Sequence, residues 1–358
     1  MKFIHTADLH LDSKIDGIPT EKSKIRREEI LRTFERLVDF ANQNDVRAII
    51  IAGDMFDGTK ITIRAKERVF QCVKNHPNID FLYLSGNHDK INFFSGENQT
   101  LDNLVIFNDE WKSVKYGSVV ITGVALNGLN QKTVYDLLRL DENDVNVVVM
   151  HGQIVGYKSN EKAEMISIPS LKDKNIDYLA LGHLHSYSQG VIDNRGKFAY
   201  SGCLDGRGFD ELGEKGFVLI DTQNKKLTTT FVPFSSRILY ELEFNVDEFS
   251  SFYDLSEQIV KELQSSVNEK SLIKVVLKGE RKINFYIDTF SIEKRLNELF
   301  FFAKVIDKTE LKVSVNDYAF DKSVKGEFVR AVWESELTNE EKNKVITCGL
   351  SALKGEEI

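Results

Sequence analysis

Arg47-Ala48-Ile49-Ile50-Ile51-Ala52 is apolar after its first residue and then breaks at Gly53-Asp54-Met55-Phe56-Asp57. A continuous run of that length, without polar alternation, reads as a strand buried on both faces. The break leaves a glycine and a carboxylate at its carboxyl end. Four other segments obey the same rule. Lys2-Phe3-Ile4-His5-Thr6-Ala7 stops at Asp8-Leu9-His10, and Asp80-Phe81-Leu82-Tyr83-Leu84-Ser85 stops at Gly86-Asn87-His88-Asp89. Asn146-Val147-Val148-Val149-Met150 stops at His151-Gly152, and Ile176-Asp177-Tyr178-Leu179-Ala180-Leu181 stops at Gly182-His183-Leu184-His185. Between the first two runs, Ile30, Leu31, Phe34, Leu37, Val38 and Ala41 recur at helical spacing. Strand and helix therefore alternate, as in an α/β sheet. Ligands of such sheets bind beyond the carboxyl ends of the strands, so five polar clusters point into one crevice.

The clusters share a chemistry. Asp8 and His10 are two residues apart, a spacing that puts both side chains on one face of a regular strand. Gly53 lets backbone approach closely beside Asp54. Asn87 offers a neutral oxygen, and His151, His183 and His185 offer nitrogens. A mixed nitrogen and oxygen set without thiolate suits Mn, Fe, Zn, Co or Ni better than Mg or Ca. Seven donors suit two ions. Any single fragment reads as readily as a turn or capping group; the ordered set, each at a strand end, favours metal ligation over that alternative. His5, within the first run, and His76, just before Pro77, read as structural.

At 358 residues the chain has the length of about two domains. Its 42% hydrophobic and 28% charged residues exclude wholesale disorder. A net charge of -8 gives no global drive toward nucleic acid. A local basic track is present nonetheless: Lys60, Arg64, Lys66, Arg68 and Lys74, opposed only by Glu67. A solvated helix face is its alternative reading. A second cluster, Lys22, Lys24, Arg26 and Arg27, is diluted by Glu21, Glu28 and Glu29. No apolar run reaches the ~18 residues of a membrane helix, so no membrane association is expected, and the start runs straight into a strand, so no secretory leader is expected. Cys72, Cys203 and Cys348 are odd in number and widely spaced, which fits a reduced compartment, the cytoplasm.

Hairpins are expected from about residue 190 to 234. Past residue 235 a new unit begins with Tyr240, Leu242, Phe244 and Val246 alternating with polar residues. A helix, strands near 273–277 and 283–287, a helix over 291–301 and a strand near 311–315 make it a small α+β domain without histidine. The tail reads as two amphipathic helices. One carries Phe328, Val329, Val332 and Trp333; the other opens on a Thr338/Glu341 capping box and carries Val345, Ile346, Leu350 and Leu353. This stripe packs either on the chain itself or on a partner.

The ordered motifs resemble those of the calcineurin-like metallophosphoesterases. The fuller strings Ile4-His5-Thr6-Ala7-Asp8-Leu9-His10-Leu11-Asp12-Ser13 and Gly53-Asp54-Met55-Phe56-Asp57 are similar to the SbcD/Mre-type DNA repair nucleases among them. The resemblance implies a four-layer αββα sandwich over residues 1–235, a small α+β capping domain over 236–318 and a helical tail over 319–358. It implies one cation on Asp8, His10, Asp54 and His185, and a second on Asp54, Asn87, His151 and His183, with Asp54 bridging. His88 would face the phosphate as an acid or charge stabiliser, oriented by Asp57. The implied activity is Mn-dependent exonucleolytic or endonucleolytic cleavage of DNA in repair. The implied partners are a second copy of the chain and an SMC-like ABC ATPase of the SbcC type, engaged through the tail. The family's Tyr-Pro-Gly-Ser appears here as Tyr200-Ser201-Gly202-Cys203. Protein phosphatases of this fold carry Gly-Asp-x-x-Asp-Arg-Gly and Gly-Asn-His-Glu, whereas Gly58 follows Asp57 and Asp89 follows His88 here. The alternatives are a small-molecule or cyclic-nucleotide phosphodiesterase, and a DNA-bridging scaffold with a silent site.

Overall fold

The computed structural model describes residues 1–58, 61–84, 101–156, 164–282, 285–312 and 318–354. The chain divides into two units, Met1–Leu239 and Tyr240–Ile358. In the first, β1 (Lys2–Thr6), α1 (Thr20–Gln43), β2 (Val46–Ala52), α2 (Ile63–Lys74), β3 (Asp80–Leu84) and β4 (Leu104–Phe107) follow one another. The four strands lie parallel, side by side in chain order. The chain then crosses to a second sheet. This one is made of β5 (Lys112–Tyr116), β6 (Val119–Gly123), β7 (Val145–His151), β10 (Tyr178–Gly182), β11 (Ser188–Val191) and β12 (Lys197–Tyr200), with α3 (Val134–Leu137) between β6 and β7. A short parallel pair, β8 (Gln153–Ile154) and β9 (Met165–Ile166), lies between β7 and β10. The hairpin β13 (Gly216–Gln223) and β14 (Lys226–Pro233) returns to the first sheet, β13 running antiparallel to β1. Its turn residues Asn224 and Lys225 have φ of 50° and 61°, the handedness a two-residue hairpin turn needs. The two hairpins after residue 187 thus belong to different sheets.

Three apolar layers explain the unbroken runs in the sequence, since both faces of each sheet are covered. Phe3, Ala48, Ile50 and Leu82 of the first sheet meet Ile121, Val147, Val149 and Ala180 of the second. Alternate residues Ile4, Ile49, Ile51 and Phe81 pack outward on Phe34, Leu37 and Val38 of α1 and Val69 and Val73 of α2. On the far side, Val148, Met150, Leu179 and Leu181 are covered by Val134, Tyr135 and Leu171. The result is an αββα sandwich. Among the described residues its outer layer on the second sheet is thin, being α3 and a single 3-10 turn, Pro169–Leu171.

His5 shares a face with Phe3 and lies between the sheets. Its Nδ1 accepts from the Tyr178 hydroxyl at 2.8 Å and its Nε2 donates to the Leu181 carbonyl at 3.2 Å. The ring is therefore a neutral cross-sheet bridge, and burial lowers it from 6.5 to about 3 against the Leu181 bond. Between these values the unfolded chain binds one more proton than the native one. Native stability should then fall as pH drops, and His5→Gln should remove about one proton from the dependence, ~1.4 kcal/mol per pH unit. Urea unfolding of both proteins between about pH 4 and 6 checks this; equal slopes would show that His5 is not buried neutral.

In the second unit β15 (Leu239–Asn245), α4 (Phe252–Ser266), β16 (Leu272–Lys278), β17 (Glu280–Lys282), α5 (Thr289–Leu299), β18 (Phe302–Asp307) and β19 (Glu310–Lys312) form a three-stranded sheet, β15-β16-β18, plus the pair β17–β19. Leu255, Ile259 and Leu263 of α4 and Ile292 and Leu296 of α5 cover it. Of the strand expected near 283–287, residues 283–284 lie outside the described residues; β17 ends just before them, and Phe285 and Ile287 drop into the core outside any strand. Two helices end the unit, α6 (Val324–Trp333) and α7 (Asn339–Lys354). The Thr338 N–H donates to Glu341 Oε2 at 2.8 Å and the Glu341 N–H to Thr338 Oγ1 at 3.3 Å, the capping box read from sequence. Phe328, Val329, Val332 and Trp333 pack with Ile346 and Leu350, whereas Val345 and Leu353 of the expected stripe are exposed. No described helix is long and apolar enough to cross a membrane.

Candidate metal centre

Beyond β1 and β2 the backbone stays paired after the strands have ended. The N–H of Asp8 donates to the Gly53 carbonyl at 3.1 Å, that of His10 to Asp54 at 3.0 Å and that of Leu11 to Met55 at 2.9 Å. The two motifs are thereby held in register. Asp8, His10 and Asp54 have φ of 51°, 42° and 51°, and His183 has φ 111°. Left-handed backbone at non-glycine residues costs ~1–3 kcal/mol each and gathers at functional sites. Here it gathers at four of the seven donors read from the sequence.

The neighbouring strand ends explain the glycines. His151 closes β7 opposite Gly182 of β10. A Cβ on Gly53 would lie 2.0 Å from His151 Nδ1, and one on Gly182 would lie 1.9 Å from the Ala52 carbonyl oxygen and 2.8 Å from the same nitrogen. Only glycine lets the His151 ring and these backbones meet.

Asp8, His10 and His185 offer donor atoms within 4.8 Å of one another, and so do Asp8, Asp54 and His151. Asp8 is common to both groups. The resemblance assigns that shared role to Asp54, which in the structure enters the second group. Asp8, His10 and Asp54 are each 1% exposed and His151 5%. Two carboxylates whose oxygens lie within 4.8 Å repel by at least about 3.5 kcal/mol at an effective dielectric near 20, so the pair requires protons or a cation beside it. Burial raises the Asp8 carboxyl to about 6, with Asp54 adding to the rise and the His185 and His151 rings opposing it. Burial likewise disfavours the His151 cation, but Asp54, whose Oδ2 lies 3.3 Å from Nε2, and then Asp8 carry it to about 9.

The histidine orientations let a metal cation take the place of those protons. His151 Nδ1 donates to the Ala52 carbonyl at 2.8 Å and His185 Nδ1 to Glu211 Oε1 at 2.7 Å. In the neutral ring each Nε2 then carries its lone pair inward. His185 Nε2 faces His10 Nε2 at 3.2 Å, a pair that a shared divalent ion would satisfy. Asp8 is itself oriented, accepting the His183 N–H at 2.9 and 3.1 Å. This set of buried carboxylates and imidazoles fits divalent cations of the borderline class.

The other site residues divide. The His183 ring stands 5.8 Å from that of His151. Asn87, His88 and Lys60 lie outside the described residues. Asp57 is 3.9 Å from Arg207 Nη1. Of the basic track, Arg68 donates to Glu35 at 2.9 and 2.6 Å and to Glu28 at 2.6 Å, Arg64 lies 3.9 Å from Glu28, and Lys66 is half-buried. Arg26, in the second cluster, is fully buried and faces no solvent. Two residues near the centre carry no sequence signal. Glu211, 1% exposed, binds His185 and Arg207 together. Burial pushes its carboxyl up, but those two partners hold it well below the usual carboxylate range.

A family model described as calcineurin-like phosphoesterase matches residues 1–187. The chain is 24% identical over 300 residues to the uncharacterized metallophosphoesterase YhaO of Bacillus subtilis, covering 78% of this chain and 72% of that protein. It is 25% identical over 301 residues to the DNA double-strand break repair protein Mre11 of Sulfolobus acidocaldarius, covering 78% and 75%. It is 27% identical over 286 residues to a subunit of the nuclease SbcCD of Staphylococcus saprophyticus, covering 69% and 73%.

Proposed function

From the premise that the chain belongs to the calcineurin-like phosphoesterases, we propose that it is a DNA nuclease of DNA repair, dependent on two divalent cations, Mn2+ foremost. The likeness to proteins named for double-strand break repair and for the SbcCD nuclease supports that substrate. The observation that carries the reading is the convergence of Asp8, His10, Asp54, His151 and His185 in two donor groups that share Asp8, with only His185 partly exposed. Asp8, His10, Asp54 and His185 would hold one cation, and Asp54, Asn87, His151 and His183 the other, with Asp54 common to both sets. When bound, such ions supply Lewis acidity, lowering the pKa of water and clamping phosphate oxygens.

The chain's own groups do the rest. Ala52 and Glu211 fix the His151 and His185 rings, and the His183 N–H fixes Asp8. His88 stabilises or protonates the leaving oxygen, and Asp57 orients it. The protein works in the cytoplasm as a homodimer beside an SMC-like ABC ATPase. The exposed Val345 and Leu353 of α7, with Leu337 in the connection before it, support a docking role for that segment.

Incubation with end-labelled linear and hairpin DNA in Mn2+, Mg2+ or Zn2+ tests the reading. Manganese-dependent cleavage is expected, and His88→Ala should lose ~10²–10⁴-fold of it while retaining the metal. Hydrolysis of a cyclic nucleotide with DNA untouched would overturn it in favour of a small-molecule phosphodiesterase. Salt-dependent DNA binding with no cleavage in any metal would leave a scaffold.

A further inference from the structure

We propose that Arg207 binds a substrate phosphate oxygen beside the metal centre, and that Glu211 is the positioning residue that holds both Arg207 and His185. The proposal rests on the phosphoesterase reading of the centre. Glu211 divides its two oxygens. Oε1 accepts from His185 Nδ1 at 2.7 Å and from Arg207 Nε and Nη2 at 3.0 and 2.8 Å; Oε2 accepts the Arg207 backbone N–H at 2.6 Å. One buried carboxylate therefore fixes an imidazole and a guanidinium side by side, with Arg207 Nη2 3.5 Å from His185 Nδ1.

A guanidinium in a closed structural pair commonly matches both nitrogens of its fork to both carboxylate oxygens. Arg207 instead puts Nε and Nη2 on a single oxygen and leaves Nη1 directed elsewhere. Asp57 Oδ2 lies 3.9 Å from Nη1, beyond hydrogen-bond distance, and Nη1 makes no hydrogen bond among the described residues. Arg207 also lines a cleft of about 230 Å³ with Lys14, Ile15, Asp16, Gly208 and Asp210. At ~30 Å³ per water, that space admits several waters or a phosphate group. A delocalised cation with an open N–H edge, joined through one carboxylate to a metal ligand and reachable from a cleft, is suited to phosphate oxygen.

The alternative is that Arg207 and Glu211 only hold the loop. Calorimetry of manganese binding to the metal-free protein, then of inorganic phosphate binding to the manganese-loaded protein, separates the two. Arg207→Gln is expected to keep manganese affinity and stoichiometry and to weaken phosphate about 10–100-fold, the loss of a charged hydrogen bond. Arg207→Lys should recover part of that loss through charge alone. Glu211→Gln should weaken both manganese, by ~10–100-fold as an outer partner of His185, and phosphate. Undiminished phosphate binding by Arg207→Gln, equal loss of manganese in that variant, or no phosphate binding by the unmodified protein would each overturn the proposal. Arg207-dependent phosphate binding by a protein that cleaves no DNA would sustain it while rejecting the nuclease reading.

Discussion

Asp54→Asn is expected to bind well under two equivalents of manganese and to lose hydrolysis, while folding as the unmodified protein does. The variant keeps the shape of the side chain and tolerates φ 51°, and the backbone bond from the His10 N–H to the residue-54 carbonyl is untouched. What it removes is a buried charge 3.3 Å from His151 Nε2. Loss of an outer partner alone typically lowers metal affinity ~10–100-fold, and loss of a charged donor exceeds that. Asp54→Ala should behave alike at the metal, with an added backbone cost of ~1–2 kcal/mol for alanine in left-handed backbone. Asp8→Asn is the informative companion: Asp8 reaches both donor groups, so it should lower occupancy of both ions, whereas a single lost equivalent would confine it to one. Metal analysis after dialysis, beside the nuclease assay, gives the result. Two tightly held equivalents in Asp54→Asn would remove Asp54 from the centre.

The parts of this centre that sequence made legible are those tied to strand ends. Asp8, Asp54, His151, His183 and His185 follow apolar runs, and a run that stops abruptly fixes both the strand and the place where its last side chains emerge. Their left-handed backbone had no such signal, because it arises from how one loop pairs with another. Glu211 and Arg207 had none either. They lie in the glycine-rich loop 206–213, with no apolar period before them, and are brought to the centre by contacts distant in sequence: Ala7 bridges to Cys203, and Arg26 holds Asp205 and the Gly206 carbonyl. Helix α1 shows the limit most plainly. Lys22, Lys24, Arg26 and Arg27 look alike in sequence, yet Arg26 is buried and Lys24 exposed. A charged residue on a charged helix gives no sign of being interior until the partner carboxylate, Asp205, is brought to it from far along the chain.

That ion pair carries the second large effect. Asp205→Ala is expected to cost ~3–5 kcal/mol, the usual consequence of removing one member of a buried pair. The Arg26 and Asp205 side chains are both 0% exposed, with Nη2 2.7 Å from Oδ1. Arg26 also donates to Glu29 and Ser236 at 2.8 Å each and to the Gly206 carbonyl at 2.6 Å. Asp205 accepts from Thr33 Oγ1 at 2.9 Å and from the Ser236 N–H at 3.0 Å. Removing the carboxylate strands a guanidinium whose remaining anion, Glu29, is 20% exposed and already engaged by Arg237. Replacing both members, Arg26→Met with Asp205→Leu, should recover much of the loss, because the desolvation of both charges disappears together. Urea unfolding of the two single variants and the double variant measures the coupling; strictly additive losses would show that the pair is not the source. The same experiment bears on the centre. Gly206, which Arg26 holds by its carbonyl, precedes Arg207, so loosening the pair frees the loop that presents Arg207 and Glu211. Asp205→Ala should therefore lose manganese affinity at temperatures where the protein is still folded.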